Sequence, residues 1–352
     1  MMALIWGLMS VLSEKMRSKL LFILLLFLFF FKTQAQNQKL AVVFYNAENL
    51  FDWKDNPLTM DDEFTPEGDR HWTFSRFEQK INNTSKVLLN AVGWDIPAIV
   101  GLCEIENRNV LELLTKETAL KSIPYQIIHK ESPDPRGIDV ALLYNSDIFY
   151  PLTYEYLPLR NEDGGIRETR EILYVSGILS ESDTIHVFVN HWPSRYSGLL
   201  ETKPLRNNAA ALLREKVDSV FVINKEAKII IIGDFNDQPL DESIETHLNA
   251  KGIDQSTSLI DLSDMWINTG IGTLKYQSQW YVFDQIIISS NLLDSGSGIY
   301  TKPQWATIVS DSFLLEPDER YGGIKPFRTY NGYQYKGGFG DHLPVKLQLD
   351  IR

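Results

Sequence analysis

The 352 residues carry a formal charge of −12, are 44% hydrophobic and 12% aromatic, and include one cysteine, Cys103. This balance excludes a disordered or fibrous chain, supplies enough apolar residues for a large core, and leaves no partner for an internal disulfide. An acidic surface also disfavours non-specific polyanion binding, which depends on Lys and Arg displacing counterions, so nucleic acid would require a local basic groove.

The first segment reads apart from that core. "MRSKLLFILLLFLFFFKTQAQ" has a basic start at Arg17 and Lys19, an apolar run from Leu20 to Phe31, and small or polar residues around Ala35. These are the parts of a secretory signal, and the apolar run is short for a membrane span. The expectation is a signal over 1–36, extended ahead of Met16, then one large domain over 37–352 that is monomeric, without a stable membrane span, and secreted or periplasmic. A retained anchor is the alternative. Cleavage would remove Glu14 with Lys15, Arg17, Lys19 and Lys32, taking the formal charge to −15.

Short β-rich runs follow: "KLAVVFYNA" from Lys39, "AIVGLCEI" from Ala98, "YQIIHKE" from Tyr125 and "DVALLYN" from Asp139. The later ones are "EILYVSGIL" from Glu171, "TIHVFVNHW" from Thr184, "KIIIIGDFN" from Lys228, "YVFDQIIIS" from Tyr281 and "PVKLQLD" from Pro344. Several are apolar almost throughout, as strands covered on both faces are. A helix is expected from a capping box at Ser75 and Glu78 to a stop at Gly93, and another after Pro204, where Leu205, Ala209, Leu212, Leu213, Val217 and Val220 recur at helical spacing. Shorter helices are expected over 108–120 and 242–251. Many strands with few helices predict an α/β sandwich, sheets inside and helices outside. Three long polar and aromatic loops, beginning near Asp52, Arg160 and Tyr321, have the length at which loops tend to be functional.

Polar groups gather at the strand ends. "FYNAEN" sets Asn46 and Glu48 after an apolar run, "GLCEIEN" sets Glu104 and Glu106, and "FVNHWPSR" sets Asn190, His191 and Arg195. "GDFND" supplies Asp234, Asn236 and Asp237, while Asp284 lies inside "VFDQIII" and Asp341 and His342 precede the last strand. Singly, each has an ordinary explanation: Asp234 and Asn236 as turn residues, Glu104 as an arginine's partner, Asp284 as a satisfied strand acid. His71, His129, His186 and His247 read as structural. Buried charge is costly unless paired or bound to metal, however, and repeated placement at strand ends suggests one shared site.

Carboxylates and amides without a Cys or multi-His set suit a hard cation, Mg²⁺ or Mn²⁺, rather than structural zinc. Histidines beside acids suit proton transfer or charge stabilisation near neutral pH. Together these are the parts for hydrolysis of a phosphate ester. No "GxGxxG", "GxSxG" or "GxxxxGK[ST]" supports a dinucleotide, acyl-serine or P-loop reading.

Taken in order, "YNAEN", "CEIEN", "RGIDVALLY", "NHWPSR", "GDFND", "FDQIIIS" and "GDHLPV" resemble the motifs of the endonuclease/exonuclease/phosphatase superfamily, the deoxyribonuclease I-like group, over Val43 to Val345. The resemblance implies a four-layer α/β sandwich of two face-to-face mixed β-sheets flanked by helices. It also implies roles. Asn46 would steady the catalytic Asp234, which orients or deprotonates water. Glu104 would be the principal Mg²⁺ ligand, with Glu48 and Asp341 auxiliary. Asn236 would bind a phosphate oxygen, His342 paired with Asp284 would stabilise phosphoryl charge, His191 would stand near the leaving oxygen, and Arg170 would bind phosphate. Two departures stand out: Gly340 where the family has Ser, and no secure acid behind His191, for which Asp139 lies nearest. The implied function is an exported Mg-dependent phosphodiesterase, with a nuclease as one form of it. A phosphatase or phosphodiesterase for a small or lipid phosphate is the alternative, and a binding protein on a retired enzyme scaffold is the reading from another class.

Overall fold

The computed structural model describes residues 39–352 apart from Glu162, Glu181, Ser182, Ser256 and Ser297, so the signal expected over 1–36 lies outside the described residues. In chain order the first part comprises strand β1 (Leu40–Leu50), helix α1 (Phe74–Val92), β2 (Ile96–Ile105), helix α2 (Arg108–Lys116), β3 (Tyr125–His129) and β4 (Asp139–Asn145). The second comprises β5 (Phe149–Leu157), β6 (Ile172–Leu179), β7 (Asp183–His191), helix α3 (Leu199–Ile223), β8 (Lys228–Asp234), β9 (Ala250–Lys251) and β10 (Leu259–Asp261). A hairpin of β11 (Leu274–Tyr276) and β12 (Gln279–Tyr281) then leads into β13 (Asp284–Ser289). Short strands β14 (Ile299–Tyr300) and β15 (Ala306–Ile308) follow, then two hairpins, β16 (Leu315–Pro317) with β17 (Ile324–Pro326) and β18 (Tyr330–Asn331) with β19 (Gln334–Tyr335), and finally β20 (Val345–Ile351).

One sheet runs β14-β20-β1-β2-β4-β3, with β15 also on β20, and the other runs β5-β6-β7-β8-β13-β10-β9. Each is mixed: β1 with β2 and β7 with β8 are parallel, whereas β20 on β1 and β13 on β8 are antiparallel. The side-chain period of two divides each central strand between layers. In β8, Ile230 and Ile232 enter the core between the sheets with Val42, Phe44, Val187 and Ile286. Ile229 and Ile231 face the other way, under α3 with Ala209, Leu213 and Val217. In β1, Ala41, Val43 and Tyr45 pack under α1 with Phe77 and Leu88. The order helix, sheet, sheet, helix is the four-layer sandwich expected, and the run of four isoleucines is a strand apolar on both faces because both faces are covered. No helix among the described residues is long and apolar enough to cross a membrane.

The sheets pack tightly at Gly101 of β2, where an added Cβ would lie 2.8 Å from Ile232 Cδ1, 3.2 Å from Phe44 and 3.3 Å from Val189. Gly101→Ala should therefore cost about 1–3 kcal/mol, the usual range for overpacking, read as a lower urea midpoint with an unchanged slope.

Several boundaries differ from the sequence reading. α1 is capped by Thr73, whose side chain accepts from Arg76 N at 3.5 Å, so the helix begins ahead of the Ser75 box, and it stops at Gly93 with φ 62° as expected. α3 begins at Leu199 and contains Pro204 rather than following it. The helix expected over 108–120 breaks into α2 and a 3₁₀ turn, Ala119–Ser122. The one expected over 242–251 is a single π turn, Ser243–Leu248, halted by Asn249 in the left-handed region (φ 55°), after which Ala250 and Lys251 pair with β10. The strand expected from Tyr281 starts at Asp284, because Tyr281 belongs to the preceding hairpin.

Candidate active site

Strand direction brings the chemistry together. β1 and β2 run in parallel, so Asn46, Glu48 and Glu104 lie at one end of the first sheet. β20 is antiparallel to β1 with Val345 opposite Phe44, which returns Asp341 and His342 to that end. In the second sheet Asp234 ends β8 flanked in register by His191 on β7 and Asp284 on β13. Asn46 joins the sheets, donating from Nδ2 to Asp234 Oδ2 at 3.1 Å and to Glu104 Oε1 at 3.4 Å.

The backbone is unusual at these positions. Glu48, Asn49, Glu104 and Asn236 all have φ between 49° and 58°, the left-handed region that non-glycine residues seldom adopt. Strain of this kind persists where surrounding structure holds it and clusters at functional sites. Here the holding bonds are Asn49 N to Glu104 Oε2 (2.9 Å), Glu48 N to Asn46 Oδ1 (3.0 Å) and Asn236 N to Asp234 Oδ1 (2.9 Å).

The two histidines are set to opposite charge states. His342 Nδ1 lies 2.7 Å from Asp284 Oδ2, and its Nε2 lies 3.8 Å from Asp234 Oδ2. Burial alone would lower its pKa, but Asp284, Asp234 and Asp341 outweigh this and raise it well above the usual imidazole value. His191 Nε2 is 3.8 Å from Asp234 and 3.9 Å from Glu104. Burial, reinforced by Arg170, Arg136 and His342, pushes its pKa well below the usual value. An imidazolium and a neutral imidazole thus face one carboxylate. Paired groups whose surroundings drive their pKa values apart mark acid and base assignments. Asp234 itself is pushed up to about 7, first by burial and then by Asp284 and Glu104, against the pull of His342 and the Asn236 N–H.

The acid behind His191 is not Asp139. Asp139 accepts from Ser132 N and sits 2.9 Å from His129 Nε2, so His129, expected to stand alone, is the paired histidine, while buried His191 Nδ1 has no hydrogen-bond partner among the described residues. Gly340 also has a local reason: a Cβ there would lie 2.5 Å from Tyr45 Oη, so the Tyr45 hydroxyl fills the space a serine side chain would take.

Arg170 is buried with both terminal nitrogens committed, Nη1 to Asp134 Oδ2 and Nη2 to Trp192 O, each at 2.8 Å. With Arg136 and Arg167 it lines a cavity of about 300 Å³ beside Pro193 and Ser194. Asn236 donates to Trp192 O at 3.1 Å and opens onto a larger, apolar cavity of about 680 Å³ lined by Tyr196, Leu199, Leu274, Tyr276, Tyr281 and Phe283. Asp237, in the bend after β8, is tightly held: Arg206 Nε at 2.7 Å, Arg195 Nη2 at 2.6 Å and Ser243 Oγ at 2.6 Å surround it.

Two cations in the site escaped the sequence reading. Arg328, in the loop after β17, donates from Nε to Glu48 Oε1 at 3.1 Å and from Nη2 to Asp341 Oδ2 at 2.8 Å. Lys80 of α1 is buried, donating to Thr329 Oγ1 (2.6 Å) and Phe339 O (2.7 Å) with Glu48 Oε2 3.7 Å away. A signal for Lys80 existed, since it falls three residues after Phe77 and four before Thr84 on the buried face of α1. Arg328 offered only its place in a long loop.

The donor set fits a hard divalent cation. Glu104 is partly open, with the Asn46 amide, the Asn49 N–H and the His191 imidazole around it, and carboxylate oxygen is the donor a hard cation takes.

The fold agrees with that of known proteins. The family model described as "Endonuclease/Exonuclease/phosphatase family" matches residues 41–351. A search of the curated proteins finds no match. Among solved structures, a mannosyl-6-phosphatase of Bacteroides thetaiotaomicron is similar at 16% identity, covering 89% of this chain and 99% of its own, with a TM-score of 0.55. D. rerio TDP2 complexed with a single-strand DNA product is similar at 13% identity over 89% of this chain and 99% of its own, with a TM-score of 0.54. The human Nocturnin catalytic domain, with a bound sulfate anion, is similar at 13% identity over 90% and 95%, with a TM-score of 0.54. With a family match over nearly all the described residues and the same sandwich beneath it, this chain belongs to the endonuclease/exonuclease/phosphatase family of metal-dependent phosphoric ester hydrolases.

Proposed function

We propose that the protein is an exported, Mg²⁺-dependent phosphodiesterase whose scissile phosphate lies over Asp234. The observation that carries the diester reading is a pair of separate cavities at residues of the ring around that carboxylate. One of about 680 Å³ opens at Asn236, whose N–H binds Asp234, and one of about 290 Å³ opens at Glu48 and Arg328. A diester has two substituents to place, and a monoester has one.

Asp234 accepts the proton of the attacking water, steadied by the Asn46 amide and the Asn236 N–H. The His342 imidazolium, held by Asp284, faces the same point and stabilises charge developing on the phosphoryl oxygens. Neutral His191 and the Asn236 amide complete the ring of polar groups. Glu104 would hold the divalent cation, which would supply Lewis acidity when bound.

Nucleic acid is the diester proposed. Arg136, Arg167 and Arg170 line a cavity together with Glu168 and with Asp134, which pairs with both Arg136 and Arg170, so the lining keeps a net positive charge of one toward a polyanion. TDP2, similar in fold, is complexed with a DNA product, while the similar mannosyl-6-phosphatase by its name favours the second reading, a small phosphate. The compact cavity beside Glu48 and Arg328 suits that reading.

The test compares bis(p-nitrophenyl) phosphate, p-nitrophenyl phosphate and plasmid DNA with Mg²⁺, Mn²⁺ or EDTA. Diester hydrolysis with Mg²⁺, abolished by EDTA, is expected, and nicked plasmid would identify the nuclease. Hydrolysis of the monoester alone would overturn the diester reading.

A further inference from the structure

The cavity of about 680 Å³ beside Asn236 falls within the range of small-molecule sites, and its lining is aromatic. The rings of Tyr281 and Phe283 lie together with centroids 5.1 Å apart, while Tyr196 and Tyr276 stand out from the wall, 98% and 64% exposed. Arg195 is the charged residue of the lining, and its charge is taken up within the protein. It pairs with Asp237 and Asp241, donates from Nε to Asn236 O, and lies 4.7 Å over the Phe283 ring. The wall left to a ligand suits an uncharged group. Its polar feature is the Ser194 hydroxyl, which accepts from Tyr196 N at 3.3 Å and keeps its own hydrogen to donate.

Two connections tie this wall to the reacting groups. Asn236 lines the cavity while its N–H binds Asp234 at 2.9 Å. Leu274, also in the lining, forms a backbone bridge with His342. Next to it, Thr273 holds the chain on both sides of the His342–Asp284 pair: its Oγ1 accepts from Asp284 N at 3.0 Å and its carbonyl from Leu343 N at 2.7 Å. A group seated here is so close to Asp234 and His342 that it belongs to the reacting ester itself.

We infer that this cavity is a base pocket, seating the nucleobase of the nucleotide that adjoins the scissile phosphate, with Tyr276 as a stacking platform. This rests on the phosphodiesterase reading above and names its substrate as a nucleotide ester. Stacking on a ring accepts every base, since each has a π-face, and a hydroxyl donor meets the acceptors of a base edge. An alkyl chain would find two leucines, Leu199 and Leu274, among the rings.

Isothermal titration calorimetry of the purified protein in Mg²⁺ tests the inference without reference to turnover. The ligands are thymidine 5′-monophosphate, thymidine 3′-monophosphate, 2-deoxyribose 5-phosphate and octyl phosphate. The tighter of the two nucleotides is expected to bind at least about 10-fold more tightly than the sugar phosphate, the scale of one base on an aromatic ring. Tyr276→Ala is expected to erase that ratio, and Tyr276→Phe, which keeps the ring, to preserve it. Tyr276 is exposed, so neither change disturbs the core. A wild type that binds all four ligands alike, binds none, or prefers octyl phosphate would overturn the inference, as would an unchanged ratio in Tyr276→Ala. Hydrolysis of bis(p-nitrophenyl) phosphate by the same preparation would then leave the phosphodiesterase standing, and its absence would sink that reading as well.

Discussion

Asp234→Asn should lower kcat for diester hydrolysis by about 10³-fold, within the usual contribution of a positioned general base, while leaving the fold intact. The replacement has the same size and keeps an oxygen to accept from Asn46 or Asn236 N, but it cannot take a proton. His342→Ala should fall in the same range, because it removes the imidazolium that faces the same oxygen at 3.8 Å. The two losses should not add, since both groups act on one step. A stability measurement in EDTA separates catalysis from folding. The folded pKa of Asp234, about 7, lies above its unfolded value, so the folded state binds more protons between roughly pH 4 and 7 and loses stability as pH rises through that window. Asparagine has no such penalty. Metal-free Asp234→Asn should therefore melt higher than the wild type at pH 8, with the difference vanishing below about pH 4. A variant that is inactive and also melts lower at pH 8 would refute this account of the carboxylate.

The second large effect is structural. Arg206→Met should cost about 3–5 kcal/mol and lower the thermal midpoint by roughly 10 °C. Arg206 is fully buried in α3, with Nε 2.7 Å from Asp237 and Nη1 donating to Thr202 Oγ1 at 2.7 Å. Its loss leaves Asp237 buried and supported only by Arg195 and Ser243, and breaking one side of a buried ion pair is far more damaging than never having built it. Because Asp237 follows Asn236 directly, kcat should fall as well. Calorimetry showing a midpoint within about 2 °C of the wild type would remove the ion pair from the account of stability.

Much of this architecture was legible because β-strands announce themselves by apolar runs. Ile229 to Ile232 reads as a strand covered on both faces, and Asp234 at its end gained weight from the other polar groups gathered at strand ends rather than from its own position. The boundaries were less legible where capping competed: Thr73 and Ser75 are both good caps, and the sequence does not say which the chain takes. Pro204 looked like a helix start, yet a proline early in a long helix is tolerated when the rest of the face is buried. Arg328 and the Asp139–His129 pair were invisible for different reasons. Arg328 meets Glu48 across 280 positions through the folding of a loop, which no local period encodes, whereas His129 and Asp139 meet only once β3 and β4 pair in their particular register.

The topology sets a timetable. β20 inserts between β14 and β1, and His342 and Asp341 immediately precede it. β1 is thus completed by β20, and the ring around Asp234 stays open until the segment from Asp341 onward has docked. A chain cut ahead of Asp341 keeps Glu104 and Asp234 but lacks the imidazole that faces Asp234. The ring closes in one step, with the docking of β20, and activity reports that the first sheet is complete.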